Sequence, residues 1–423
     1  MVFYFLLIRI AALFGHQKAR ALVQGQKATL AKEQKEQLES LRGAIWFHAA
    51  SVGEFEQART VIERLKAKGE RRKIVVTFFS PSGYEARKNY ELADGVYYLP
   101  FATRRNVRKF LDALQPSMAL FMKYEFWPAY LRELKKRAIP TYSLCSIFRP
   151  DQVFFRWYGK GQLKLLHCFT QLFVQDEASR RLLAEHGVHE ATVVGDTRFD
   201  RVAEIKANGR MANGERLTPV AEFAEGCERV IVAGSTWPED EVLLAQYIED
   251  CRLKIEDCKT KLILVPHEID EEHLHFIFNL FQGRYVRYQV LSSENQVLSN
   301  ESRRNILRKA DVLVIDTMGL LSSIYRFGQA AYIGGGFGVG IHNTIEAAAY
   351  GMPVIFGPNY HTFREAQGLI DAGAGRSIAN YAELEAAIET ALEQYKSIGQ
   401  KAAAYVESEL GATAKICKEI FAN

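Results

Sequence analysis

Along this 423-residue chain, short apolar runs alternate with amphipathic helical stretches, stop once, and then start again. In the first half, apolar runs suited to strands fall at 44–49, 73–79, 95–99, 117–122, 141–145 and 172–175. Helical patterns at 56–68, 82–90, 106–114 and 128–137 separate them. Parallel strands need such crossovers, and a sheet covered on both faces reads as near-continuous apolar runs. A polar stretch at 203–229, punctuated by Gly209, Gly214, Pro219 and Gly226, reads as an interdomain joint. Strand patterns then resume at 230–233, 261–265, 285–290, 312–315 and 330–333, with 353–356 as the last. Helical patterns at 240–250, 271–281, 319–327 and 343–350 lie between them. The fold class is therefore α/β: two tandem Rossmann-like doubly wound domains with a cleft between them, with ligands at the carboxyl ends of the strands. The expected boundaries are 28–202 for the first domain and 230–400 for the second. A closing helix within 401–423 is expected to pack across the joint.

Charge is divided unevenly. Residues 1–201 hold 33 Lys and Arg against 20 Asp and Glu, whereas 202–423 hold 21 against 30. A basic first half suggests an anionic partner: nucleic acid, a membrane surface or a phosphorylated substrate. Six scattered cysteines without a C-x-x-C pair fit neither a zinc ribbon nor a disulfide framework, and a reducing compartment suits them better. Residues 1–27 open on an apolar run broken by Arg9 and followed by His16, Lys18, Arg20 and Lys27. The run is too short to span comfortably, since spanning needs about 20 apolar residues. It lacks the basic start and cleavage site of a signal peptide. It reads as a helix lying in the inner leaflet, or else as a buried helix covering an apolar groove.

Six segments carry candidate chemistry. In the segment from His48 to Glu56 a strand ends, a small-residue turn follows and a helix begins. Ser51 and Gly53 can hold an anion or a sugar hydroxyl there. Glu54 can accept a proton from an acceptor hydroxyl or simply complement the helix dipole. Ser80 and Ser82, with the Gly83 amide, form a similar turn. Glu125, in Lys123-Tyr-Glu-Phe-Trp-Pro128, can bind substrate or pair with Lys123. In the second half Ser235 and Thr236 offer hydroxyls to a phosphate. His267-Glu268 begins like H-E-x-x-H, but Glu271 stands at the last place, so the zinc pattern fails. The glycine-rich stretch from Gly334 to Gly340 does not match G-x-G-x-x-G, which disfavours a dinucleotide site. After it, Asn343 and Glu346 lie at i and i+3 on one helix face. That pair can hold ribose hydroxyls or merely cap the helix.

Taken in order, S-V-G-E, K-x-E-x-W-P, G-D-T-R-F-D, A-G-S-T and G-G-G…H-N-x-x-E-x-A-x-x-G-x-P-V-x-F-G-P resemble the bacterial 3-deoxy-D-manno-octulosonic acid (Kdo) transferases. The resemblance runs from about residue 45 to residue 358. It implies a GT-B fold and transfer of Kdo from CMP-Kdo to a lipid A precursor, without a cofactor or bound metal. It places the work at the cytoplasmic face of the inner membrane, with a lipid and no nucleic acid as the anionic partner. The first domain then takes the acceptor and the second the donor, with 1–27 as the membrane-associating segment. Glu54 matches the proposed general base, and Glu125 a glutamate near acceptor or Kdo. Ser51, Gly53, Ser80 and Ser82 fall on the acceptor side. Ser235, His267, Gly335, Gly336, Asn343 and Glu346 fall on the donor side. One departure stands out: the family often has V-P-R-H where this chain has Val265-Pro-His-Glu268, so His267 or another cation must replace an arginine. A GT-B transferase using a UDP- or GDP-sugar on another membrane lipid is the alternative. A non-catalytic nucleotide-binding protein is a second one, against which Glu54 speaks.

Overall fold

The computed structural model describes residues 2–212, 214–254, 260–292 and 300–421. The chain forms two compact units, Met1–Arg201 with Leu410–Asn423, and Val202–Glu409. The first unit holds seven strands among the described residues. They are β1 (Ile45–Ala49), β2 (Ile74–Phe78), β3 (Gly95–Tyr98), β4 (Met118–Met122), β5 (Thr141–Ser146), β6 (Gln171–Val174) and β7 (Ala191–Val193). All pair in parallel in the order β3-β2-β1-β4-β5-β6-β7. Every residue of β1, β2 and β4 is buried, as a sheet covered on both faces requires. Successive side chains point to opposite faces. Trp46 thus joins Phe110, Phe121 and Tyr130 in one core, while Phe47 joins Phe55, Leu120 and Phe173 in the other.

The second unit repeats the plan. Its strands are β8 (Arg229–Thr236), β9 (Thr260–Pro266), β10 (Tyr285–Arg287), β11 (Val312–Val314), β12 (Ala330–Ile333), β13 (Val354–Phe356) and β14 (Gly375–Ser377). They run parallel in the order β10-β11-β9-β8-β12-β13-β14. Strand order reverses where β1 meets β4 and where β8 meets β12. At such switch points neighbouring connections leave to opposite faces, and a crevice opens beyond the strand ends.

Several expectations need correction. Much of 203–229, read as the interdomain joint, is helical: the helices Thr197–Ala212 and Gly214–Ala224 run through it, and the second buries Leu217, Val220 and Phe223. Those three recur at helical spacing, which the surrounding Gly and Pro obscured. Strand β14 follows 353–356, and 285–290 ends as a strand at Arg287 before the helix Tyr288–Ser292. The closing helical stretch is broken in two. Tyr395–Ser408 lies in the second unit, while Ala412–Phe421 lies in the first, where Ile416 and Cys417 join the core beside Phe55. Asp200 anchors it by accepting from the Gly411 and Thr413 amides at 2.7 and 2.6 Å. At the N-terminus the helix Val2–Leu13 is buried in part and exposed in part. Phe5 is buried against Phe101 and Trp127, while Leu13 and Phe14 are 82% and 88% exposed. Cysteines 145, 168, 227, 251 and 417 are free thiols, and Cys258 lies outside the described residues.

Candidate active site

The end of β1 delivers His48, and the turn after β4 delivers Lys123, Glu125 and Trp127 beside it. The Trp127 indole N–H donates to Glu125 Oε2 at 2.7 Å, and His48 Nε2 stands 3.1 Å from the same oxygen. The other ring nitrogen of His48 lies 2.9 Å from the Thr77 hydroxyl. His48 Nδ1 also lies 3.0 Å from the Thr77 carbonyl, so the buried ring is held at both nitrogens. Glu125 therefore pairs with His48 and Trp127. Among the described residues it forms no ion pair with Lys123.

Glu54 enters from the helix Val52–Ala67. Ser51 is its N-cap, accepting weakly from the Glu54 amide at 3.4 Å. Glu54 Oε2 turns back to accept from the Ala50 amide at 2.6 Å, much as in a capping box. Oε1 has no hydrogen-bond partner among the described residues. Burial pushes the Glu54 carboxyl above its ordinary range, and the nearby Glu125 pushes the same way. The Ala50 amide, His48 and Lys123 oppose both. Lys123 is also close enough to act on Cys145 and on buried Asp196. Burial would raise Asp196, yet Arg198, paired with it at 2.7 Å, holds it low. Lys123 and Cys145 both adopt left-handed backbone (φ 46° and 57°), which costs about 1–3 kcal/mol each and is typical of sites where chain direction is forced. The result is one cation and two facing carboxylates at the first switch point.

The other expected residues of this unit are placed less pointedly. Ser51 and Gly53 are exposed beside Glu54. Ser80 caps its own short helix by accepting from the Gly83 amide at 3.0 Å, and Ser82 lies 3.4 Å from Ser80. The Ser80 hydroxyl is thus engaged locally, as most such turns are.

In the second unit the organising group is Asp240, which sequence reading passed over. It is 1% exposed and accepts from the Tyr332 hydroxyl at 2.6 Å, the Gly335 amide at 2.8 Å and the Trp237 amide at 2.9 Å. Burial raises its carboxyl, and those three donors oppose the rise. Asp240 thereby ties the turn after β8 to the glycine loop after β12. The Gly335 amide is consumed in this bond. A side chain at Gly335 would meet the Gly340 carbonyl at 2.4 Å, and one at Gly336 would meet Gly357 at 2.6 Å. Both glycines thus serve close backbone packing that shapes the loop. Ser235 takes a left-handed turn (φ 55°) beside them. His267 is exposed and stacks between Trp237 and His342, at 4.8 and 4.4 Å between ring centroids. Burial, and then His267, push His342 down to about 4, so His342 is neutral at pH 7 and supplies no replacement cation. Asn343 donates to Glu346 Oε1 at 2.9 Å and accepts from the Ile345 amide at 3.1 Å. The helix they introduce is only Ile345–Ala349, shorter than 343–350.

A signal for Asp240 existed in the W-P-E-D order at a helix start, but such acids usually serve the helix dipole alone. His48 closed an apolar strand, where a satisfied core histidine is the ordinary outcome.

Residues 18–201 match the family model described as 3-deoxy-D-manno-octulosonic-acid transferase (kdotransferase), which covers the whole first sheet. A 3-deoxy-D-manno-octulosonic acid transferase of Aquifex aeolicus is 27% identical over 370 residues, covering 86% of this chain and 90% of that protein. Another from Haemophilus influenzae is 26% identical over 371 residues, covering 84% and 80%. Among solved structures, the UDP-GlcNAc 2-epimerase of Neisseria meningitidis superposes with a TM-score of 0.64 at 13% identity, covering 90% of this chain and all of that one. That last likeness is of fold, and two parallel-sheet units in one chain are the GT-B plan. Relatives of one description align across both units, and the family model spans the sheet that carries Glu54 and Glu125. Across both units the chain is therefore similar to the 3-deoxy-D-manno-octulosonic acid transferases, which are glycosyltransferases.

Proposed function

We propose that this glycosyltransferase moves Kdo from CMP-Kdo onto a hydroxyl of a lipid A precursor, with inversion, at the cytoplasmic face of the inner membrane. The observation that carries the reading is the pair of carboxylates at the first switch point, with one Glu54 oxygen uncommitted. In the proposed reaction the acceptor oxygen attacks the anomeric carbon of Kdo. The bond from that carbon to the CMP phosphate breaks, and CMP leaves with the electron pair. The acceptor proton passes to Glu54. A carboxylate raised by burial is a stronger base than an ordinary one, which suits general-base work. Glu125, steadied by His48 and Trp127, orients the acceptor or the Kdo ring, and Ser51 and Gly53 line the approach. In the second unit Asn343 and Glu346 take the ribose hydroxyls. Ser235, His267 and the turn held by Gly335 and Gly336 face the phosphate and Kdo.

Among the described residues no helix is long and apolar enough to cross a membrane. The 12-residue helix Val2–Leu13 would span only about 18 Å. Its exposed Leu7, Ile10 and Leu13, with Phe14 beyond, suit insertion into the headgroup boundary. The test is incubation of the purified protein with CMP-Kdo and a tetraacylated lipid A precursor, read by mass spectrometry. A product heavier by one or more Kdo residues is expected. Transfer from a UDP- or GDP-sugar instead, with UDP and not CMP raising the melting temperature, would overturn the donor assignment.

A further inference from the structure

Lys123 has no part in the reaction proposed above, yet the fold goes to some length to place it. It follows β4 in left-handed backbone (φ 46°), where glycine sits freely and any residue with a side chain is strained. Its neighbours hold it there. The Lys123 amide donates to the Leu144 carbonyl at 2.8 Å, and its own carbonyl accepts from the Ser146 and Ser143 hydroxyls at 2.6 and 3.3 Å. Both serines are fully buried. Strain of this kind persists only where the surroundings over-determine it, and it gathers at functional sites. Glycine would serve the turn alone, so the turn does not account for a lysine.

The charge is also uncommitted. Of the two cations that act on buried Asp196, Arg198 pairs with it at 2.7 Å. Lys123 is partly exposed and forms no ion pair among the described residues. It is also the lysine whose charge acts on Glu54. A cation thus stands within electrostatic reach of the proposed base without being tied to it by contact.

The proposed reaction brings a third carboxylate to this place. The anomeric carbon of Kdo carries its carboxylate directly. The attacking oxygen must lie within about 2.6–3.2 Å of Glu54 and about 3–3.5 Å from that carbon. The sugar's carboxylate is one bond further on. Like charges so close disfavour one another, and a cation within about 4–6 Å favours the charged form. An uncharged donor sugar would have no use for such a cation.

We propose that Lys123 takes the carboxylate of the transferred sugar and so selects an acidic ketose as donor. This rests on the reading of the donor as CMP-Kdo. Lys123 then offsets the repulsion from Glu54 and Glu125 and holds the anomeric carbon facing the acceptor oxygen.

The experiment pairs three variants with two donors. Lys123→Met removes the charge and keeps most of the length. Lys123→Gly removes the charge and relieves the backbone, so backbone strain cannot confound it. Lys123→Arg keeps the charge. The donors are CMP-Kdo and its analogue with the carboxylate replaced by a carboxamide, the latter read both as substrate and as competitive inhibitor. Circular dichroism checks each fold. With CMP-Kdo, the Met and Gly variants should each lose about ten- to a hundredfold in kcat/KM, and Arg should restore most of it. With the carboxamide, loss of Lys123 should change rate or inhibition by less than about twofold. Equal losses with both donors would assign Lys123 to Glu54 or to the turn and overturn the proposal. Folded Met and Gly variants that use CMP-Kdo like the parent would overturn it too, while leaving the donor reading in place. A parent that transfers no Kdo would instead sink the donor reading, and the carboxylate assigned to Lys123 with it.

Discussion

Replacing Glu54 by Gln isolates the proposed base. The substitution keeps volume and leaves a carbonyl oxygen able to accept from the Ala50 amide, now held at 2.6 Å. It removes the basic oxygen and the repulsion between Glu54 and Glu125. General-base catalysis is worth about 10²–10⁴ in rate, so turnover should fall by at least about a hundredfold. Binding of CMP should not change, because the residues proposed for it lie in the other unit. Stability gives an independent sign. Burial raises the folded-state pKa of Glu54 above its unfolded value, so the native state binds the proton more tightly. Stability is then lost as pH rises from the unfolded towards the folded pKa, and the loss persists above it. Gln carries no such loss, so at pH 8 the variant should melt no lower than the parent. In the parent, activity should fall on the acid side at a pH above that of an ordinary glutamate, as Glu54 takes up its proton. Rapid-quench turnover across pH, with calorimetric melting, tests all of this. Near-normal turnover in a folded variant would refute the assignment and leave Glu54 as a helix cap.

Three further outcomes are expected. Asp240→Ala strands the Trp237 and Gly335 amides and the Tyr332 hydroxyl, at about 1–3 kcal/mol for each buried unsatisfied group; denaturant unfolding should show at least about 3 kcal/mol lost, and an unchanged midpoint would contradict it. Glu346→Ala should weaken CMP about ten- to a hundredfold by calorimetry while acceptor binding holds, whereas unaltered CMP affinity would reduce the Asn343–Glu346 bond to a cap. Leu13→Glu with Phe14→Glu should lower sedimentation with anionic vesicles without moving the melting temperature, since both side chains are exposed; unchanged sedimentation would remove the interfacial role of this helix.

What the sequence discloses and conceals follows from periodicity. Strands such as β1, β2 and β4 are runs of five buried residues, and their regular alternation with helical patterns makes them legible. β7 and β14 escaped because each has three residues, partly exposed at a sheet edge, too few to show a period. The helix Gly214–Ala224 escaped because Pro219 and its polar neighbours imitate a linker. The Ala412–Phe421 helix could be read as a helix. Its attachment to the first unit could not, because that depends on Asp200, over two hundred residues earlier. Site residues divide in the same way. Glu54 and Glu125 sit at strand ends, where pattern alone points. His48 and Asp240 gain their roles from partners brought by other strands, Glu125 for the one and Tyr332 and Gly335 for the other, and no local spacing encodes that.

The sequence left Glu54 with two readings, cap or base, and the geometry removes the conflict between them. A capping glutamate commits one oxygen to a backbone amide, and here that is Oε2 on Ala50. The commitment fixes the carboxylate plane and so fixes where Oε1 points. A base needs this same constraint, because a freely rotating carboxylate would lose its alignment with the attacking hydroxyl. The amide bond also favours the ionised form and so limits how far burial can raise the pKa. Cap and base are therefore one arrangement in the proposed role, in which the bond that satisfies the helix start prepares the free oxygen. The cap alone would be served as well by Asp or Gln. Glu54→Asp, whose shorter arm withdraws the carboxylate by about one methylene, should keep the fold while losing much of the rate, and a fully active Asp variant would show that the reach of Glu54 is immaterial.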